Sequence, residues 1–166
     1  FEDAARALGP LTALVNNAGI LERQTRVEHL DAARIDRVFA TNVRGTINLT
    51  SGELVLNKNL FINGPGANLL TVQRSSAPGT PNFRVFHMNG NTSNGISGLT
   101  IANGNASAGL GGGISNDNGT IALTNVMITG NTADIGAGLY NGRTATVVGS
   151  TFYGNRVSGN NLGDGG

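Results

Sequence analysis

The side chains that catalysis commonly uses are few in this chain and widely spaced. The chain has no cysteine and two histidines, His29 and His87, which excludes disulfides, thiolate metal sites and cysteine nucleophiles. Residues 47–166 carry four carboxylates, Glu53, Asp117, Asp134 and Asp164. Acid–base catalysis or a calcium site needs two or three carboxylates to converge, and a repeat of about 25 residues places no two of them in one column. We therefore predict no catalytic residue and no metal site.

Two further features could bind a ligand but have simpler structural explanations. His87 lies in a predicted strand over residues 84–88, where we expect an outward-facing side chain rather than a metal ligand. The run Gly111, Gly112, Gly113 could cradle a phosphate, but the Lys and Ser/Thr of a phosphate-binding loop do not follow it. The run also recurs at residues 136–138 as Gly-Ala-Gly. This recurrence favours a bend in a repeated coil.

The elements that must position these residues belong to two segments of different composition. Residues 1–46 hold twelve of the 21 charged side chains, whereas 23 of the 26 glycines come later. One folding pattern rarely divides its composition so sharply. We therefore predict a first segment over residues 1–46 and a second over residues 47–166, with the junction near Thr46 open to a natural fusion or an assembly joint.

Charge and hydropathy limit the partners and the location. The net charge is +1, which predicts no nucleic-acid or anionic-membrane partner. No apolar run approaches the ~18–20 residues of a membrane-spanning helix. The start of the chain shows neither a basic region nor an apolar run, so no signal peptide is visible.

The first segment reads as a strand, a turn and a helix. An apolar strand over residues 11–15 precedes the turn Asn16-Asn17-Ala18-Gly19, and an amphipathic helix is predicted over residues 27–43. Thr25 and Glu28 form a capping box at the start of that helix. If the second segment forms a solenoid, the open end of that solenoid must be covered. We therefore expect this helix to lie across its first coil.

The same residues carry a family resemblance. The strand, the turn and the helix that reaches Asn42 resemble the middle of a short-chain dehydrogenase/reductase. The resemblance implies a cofactor site in which residues 16–19 lie beside the nicotinamide and Asn42 supports a water of the proton relay. The implied cofactor-binding residues are Asn16, Asn17, Ala18, Gly19 and Asn42.

Other parts of that family's machinery are missing from the sequence. The family places the cofactor pyrophosphate at a Gly-rich turn, and no such turn precedes the strand. It also uses a Tyr with a Lys four residues later, whereas Tyr140 is followed by Thr144, Tyr153 by Val157, and Lys58 is the single lysine. We therefore expect the chain to bind no cofactor. NAD(P) binding is expected only under the alternative that the chain is an oxidoreductase fragment.

The second segment predicts a mainly β fold, a right-handed parallel β-helix. Short β-rich runs alternate with Gly/Asn turns, and Gly-Asn pairs recur at residues 104–105, 130–131 and 154–155. A period of about 25 residues is typical of a solenoid. The predicted inward ladder consists of Leu99, Ile101, Val126, Ile128 and Phe152. A second ladder, of turn amides, is predicted for Asn105, Asn131 and Asn155.

These repeats resemble those of bacterial polymorphic outer-membrane and autotransporter surface proteins. The resemblance implies a non-enzymatic surface or secreted protein with a structural or adhesive role, whose faces bind carbohydrate or protein. Self-association through the C-terminal coil is expected as well. Two alternatives stay open: an inactive short-chain dehydrogenase/reductase fragment joined to foreign sequence, and a carbohydrate-active β-helix that lacks its catalytic coils.

Overall fold

Short strands separated by Gly and Asn turns fill residues 44–158, the part of the chain that this computed structural model describes. Glycine, asparagine, threonine and β-branched residues dominate here and disfavour helices. Every regular element in this range is a strand. The strands are β1 (Gly45–Leu49), β2 (Leu54–Val55), β3 (Leu60–Asn63), β4 (Leu70–Arg74), β5 (Phe86–Met88), β6 (Ser93–Ser97), β7 (Thr100–Ala102), β8 (Asn105–Leu110), β9 (Ile114–Asn116), β10 (Thr120–Thr124), β11 (Met127–Thr129), β12 (Thr132–Ile135), β13 (Leu139–Asn141), β14 (Thr144–Val148), β15 (Thr151–Tyr153) and β16 (Arg156–Val157).

The strands form four parallel sheets that stack along a solenoid of about four coils. Sheet I contains β1, β4, β7, β11 and β15; sheet II contains β2, β5, β9 and β13; sheet III contains β3, β6, β10 and β14; sheet IV contains β8, β12 and β16. Each strand pairs with the equivalent strand of the next coil, which satisfies its backbone groups without hairpins. The predicted mainly β, parallel β-helix is confirmed.

Coil length varies along the chain, which the constant predicted period missed. Gly45 pairs with Leu70, 25 positions later. Ile62 pairs with Ile96, 34 positions later, whereas Thr120 pairs with Thr144, 24 positions later. The long coil contains the loop between β4 and β5, which Arg74 holds by donating to the carbonyl oxygens of Thr80 (2.9 Å) and Pro81 (2.7 Å). Sheet IV begins only after this loop. The later coils therefore contain four strands, whereas the first contains three.

Apolar side chains stack in ladders inside the coils. In sheet I, Val72 aligns with Ile101 and then with Ile128, and all three are buried. Leu99 and Val126 are buried as predicted. Phe152 continues the column but is 44% exposed, so its predicted burial is wrong. It lies on β15, the last strand of sheet I, and within the described residues no further strand stacks over it.

The predicted asparagine ladder holds for two of its three members. Asn131 Nδ2 donates to Asn155 Oδ1 at 2.9 Å. Asn105 pairs with Thr132, so the residue that aligns with Asn131 in the preceding coil is Gly104. The Gly104 N–H donates to Asn131 Oδ1 at 2.8 Å. The predicted place of Asn105 in the ladder is therefore wrong by one position.

The order of Asn and Gly is exchanged in that earlier coil. Asn103 has φ 57° and Gly130 and Gly154 each have φ 64°, at the turns that follow β7, β11 and β15 respectively. Asn and Gly are the residues that tolerate this left-handed conformation best. The dipeptide Asn103-Gly104 therefore performs the turn that Gly130-Asn131 performs one coil later.

Residues 1–43 of the first segment lie outside the described residues. The helix predicted over residues 27–43 and its contact with the first coil therefore stay predictions. The first described strand begins at Gly45, and the proposed boundary near Thr46 stays a prediction, as does the right hand of the coil. Within residues 44–158 there is no helix long and apolar enough to cross a membrane.

Candidate functional site

A cluster of polar side chains lies on the outer face of sheet II. His87 is at its centre: Nδ1 is 2.8 Å from Glu53 Oε1, and Nε2 is 2.9 Å from Asp117 Oδ2. Arg84 Nε is 3.0 Å from the second carboxylate oxygen of Glu53. Ser115 Oγ donates to Asp117 Oδ1 at 2.6 Å. We call these five residues the His87 cluster.

The strands of sheet II bring the cluster together from three successive coils. In the column of β2, β5 and β9, Val55 aligns with His87 and His87 aligns with Ser115. The flanking Phe86 and Met88 are buried, so the alternation of a strand turns His87 outward. Glu53 just before β2 and Asp117 just after β9 then reach the imidazole from both sides.

Hydrogen bonding occupies both oxygens of each carboxylate in the cluster. Glu53 uses one oxygen for Arg84 and the other for His87. Asp117 uses one for Ser115 and the other for His87. A carboxylate can accept from two donors at once, and only an imidazolium can donate from both ring nitrogens. Each ring nitrogen of His87 thus faces a carboxylate oxygen that can accept a hydrogen bond.

Competing effects act on the pKa of Asp117. Partial burial raises the pKa of this carboxyl, but the hydrogen bonds from Ser115 and His87 and the positive charges of His87 and Arg84 hold the pKa below its usual range. Burial disfavours a charged group, whereas donors and nearby cations favour it. The balance keeps Asp117 ionised at neutral pH.

The structure brings together carboxylates that the repeat period left apart. The spacing of 25 correctly relates Asn116 to Asn141. His87 and Asn116 belong to longer coils, however, since Phe86 lies 28 positions before Ile114 and 32 positions after Leu54. The apolar residues at positions 54 and 56 and at positions 86 and 88 carry the signal that would have aligned these strands.

The other residues singled out in the sequence are placed as follows. His87 faces outward, as predicted, but carboxylates on both sides leave its side chain only 17% exposed. Gly111 and Gly136 have φ 65° and 61° and make equivalent bends, which confirms the structural explanation of the glycine run. Asp134 accepts from Ser158 Oγ at 3.0 Å, away from the cluster. Residues Asn16, Asn17, Ala18, Gly19, Asn42 and Asp164 lie outside the described residues.

A metal ion needs several converging side chains to hold it. Among residues 44–158, no three side chains of His, Asp or Glu are arranged to do so. In the His87 cluster the two ring nitrogens face carboxylates at hydrogen-bonding distance. The hydrogen bonds of the His87 cluster can link three coils, and protons can be shared between its imidazole and its carboxylates.

Comparison with known proteins gives one relative and one family. Over 73 residues the chain is 47% identical to "Uncharacterized oxidoreductase YgfF" of Escherichia coli (strain K12), a match that covers 43% of this chain and 29% of that protein. The chain thus spans less than a third of the relative's length. No solved structure matches.

The family comparison extends past the change in composition. The short chain dehydrogenase family matches residues 1–85, so its last part includes strands β1–β4 of the solenoid. The resemblance predicted for residues 1–46 is confirmed. Because the match covers half of its residues, the chain belongs to the short chain dehydrogenase family.

Proposed function

We propose that the described residues act as a non-catalytic scaffold of a bacterial surface or secreted protein, with a structural or adhesive role. The observation that supports this is that the reactive atoms of the His87 cluster contact one another. The imidazole and both carboxylates each use every available nitrogen or oxygen for a neighbour in the cluster. A general acid or base needs an atom directed at the substrate, whereas these atoms connect β2, β5 and β9.

The partner in this proposal is a carbohydrate or a protein that lies on an outer face. Those faces are built on backbone that every neighbouring coil fixes by parallel pairing. Binding to a rigid surface costs little ordering entropy, which suits adhesion. Neither NAD(P) nor a metal is part of this function.

Activity on pectin-type polysaccharides, with and without calcium, tests the non-catalytic role. We expect no turnover from the unchanged chain, and the variant His87→Gln serves as the matched control because its amide can still donate to one carboxylate. Turnover that is lost in folded His87→Gln would overturn the proposal. It would instead favour a carbohydrate-active β-helix that uses the cluster for acid–base catalysis.

An oxidoreductase is the second candidate, and the family match favours it. The name of the Escherichia coli relative also describes an oxidoreductase. In this chain, however, neither tyrosine has a lysine four residues later. We propose that residues 16–19 and Asn42 are vestigial. Titration with NADH and NADPH, followed by nucleotide fluorescence, should show no binding; micromolar affinity that Asn17→Leu abolishes would support the oxidoreductase.

A further inference from the structure

A second polar site, separate from the His87 cluster, lies at the turn that leads into sheet III. It is a surface groove with a cavity volume of about 360 Å³. One to three residues from each of four successive coils line it, among them Asn59, Asn91, Ser93, Asn118, Thr120 and Arg143. We call it the Asn–Arg groove.

Strand register explains why these residues form a line. Ser93 aligns with Thr120, and Thr120 aligns with Thr144, so the residues just before these strands also stack. Neighbouring strands are about 4.8 Å apart. Four coils therefore extend the groove by about 14 Å along the solenoid axis, enough to follow a short linear ligand rather than a single small molecule.

Arg143 is fixed at one end of the groove. Its Nη1 donates to Asn91 Oδ1 at 2.8 Å and, more weakly, to the carbonyl oxygen of Asn118 at 3.5 Å. Both contacts use the same nitrogen, and the side chain stays exposed. The ion pairs found within residues 44–158 all belong to the His87 cluster, so the charge of Arg143 has no carboxylate partner in the described part of the chain.

The remaining lining is uncharged and can both donate and accept hydrogen bonds. Amide side chains such as Asn118, and hydroxyls such as those of Ser93 and Thr120, match the hydroxyl groups of a sugar. A guanidinium matches a carboxylate, with which it can form a bidentate pair. Among residues 44–158, none of those that line the groove is acidic.

Other polymers fit this lining less well. Binding a nucleic acid requires several cations along the backbone and aromatic side chains for base stacking. Within the part of the chain that the structure describes, the groove lining contains one arginine and no aromatic residue. An apolar peptide would find few contacts among amides and hydroxyls.

We infer that the Asn–Arg groove binds an acidic oligosaccharide, with Arg143 pairing with a uronate carboxylate and the amide and hydroxyl column holding the sugar hydroxyls. The inference rests on the adhesive role proposed above and supplies its ligand class. It assigns the ligand to one edge of sheet III.

Calorimetric titration with tetragalacturonate and with neutral cellotetraose tests the inference. The acidic sugar should bind at least about tenfold more tightly than the neutral one, and added salt should reduce that preference. Arg143→Gln should weaken tetragalacturonate binding about tenfold and abolish the preference. The matched control Arg156→Gln changes an exposed arginine of β16, outside the groove, and should leave binding unchanged.

Several outcomes would overturn the inference: no binding of tetragalacturonate, equal binding of both sugars, equal losses in the two arginine variants, or preferred binding of single-stranded DNA. Turnover of the bound sugar is measured in the same samples. Cleavage would count against the non-catalytic function, whereas absence of both binding and cleavage would overturn the groove alone.

Discussion

At the scale of single residues, the imidazole of His87 is the contact that joins the two carboxylates of its cluster. His87→Ala would leave Glu53 with Arg84 alone and Asp117 with Ser115 alone. Unsatisfied, partly buried polar groups cost about 1–3 kcal/mol, so we expect the free energy of unfolding to fall by about 1–2 kcal/mol. Urea unfolding followed by circular dichroism measures this change. The exposed Lys58→Ala serves as control, and equal stability of the two variants would contradict a bridging role.

Asp117 makes the stability of the solenoid depend on pH. Its pKa is lower in the folded chain than its ordinary value of about 3.9. A lowered carboxyl pKa contributes stability that is complete above the unfolded value and is lost as the pH falls through the folded value. The wild-type chain should therefore lose stability below about pH 4 more steeply than Asp117→Asn. Melting temperatures between pH 3 and 7 test this, and parallel curves for the two proteins would refute it.

At the scale of elements, the turns on either side of β8 approach each other closely within one coil. A Cβ atom at Gly104 would overlap the carbonyl oxygen of Gly112, a backbone atom of a neighbouring turn. Gly104→Ala should therefore cost more than about 3 kcal/mol or prevent folding. Gly52→Ala is the matched control because nothing lies within 4 Å of its added methyl. Urea unfolding should show little change in that control; similar losses in both variants would show that the close approach is not limiting.

The elements themselves could be predicted from the sequence because their signals are local. Alternating β-rich runs and Gly/Asn turns marked the strands, and the recurring glycines marked the bends. The His87 cluster could not be predicted in this way, since it depends on coil lengths of 28 and 32 residues, from Phe86 to Ile114 and from Leu54 to Phe86. The turn at Asn103 was misaligned for a related reason: Asn and Gly both tolerate positive φ, so their order along the chain is interchangeable.

At the scale of the whole described region, strand pairing joins each coil only to its immediate neighbours, so stability should vary along the solenoid axis. The largest fully buried apolar side chains lie between Val85 and Ile128. Apolar residues of the outer coils are partly exposed, among them Phe61 at 69% and Tyr153 at 75%. In a repeat structure, stability is roughly a sum of coil and interface contributions, and end coils have one interface fewer.

Amide hydrogen exchange should follow this gradient. Slow exchange depends on the free energy of local opening, which is greatest where most apolar surface is buried. We expect the slowest exchange in β5–β11 and faster exchange, by about tenfold or more, in β1–β3 and β14–β16. Mass spectrometry of peptides after timed deuteration measures both groups in one sample. Uniform protection from β1 to β16 would show that the coils open as one unit, and would contradict a core whose stability is built up between neighbouring coils.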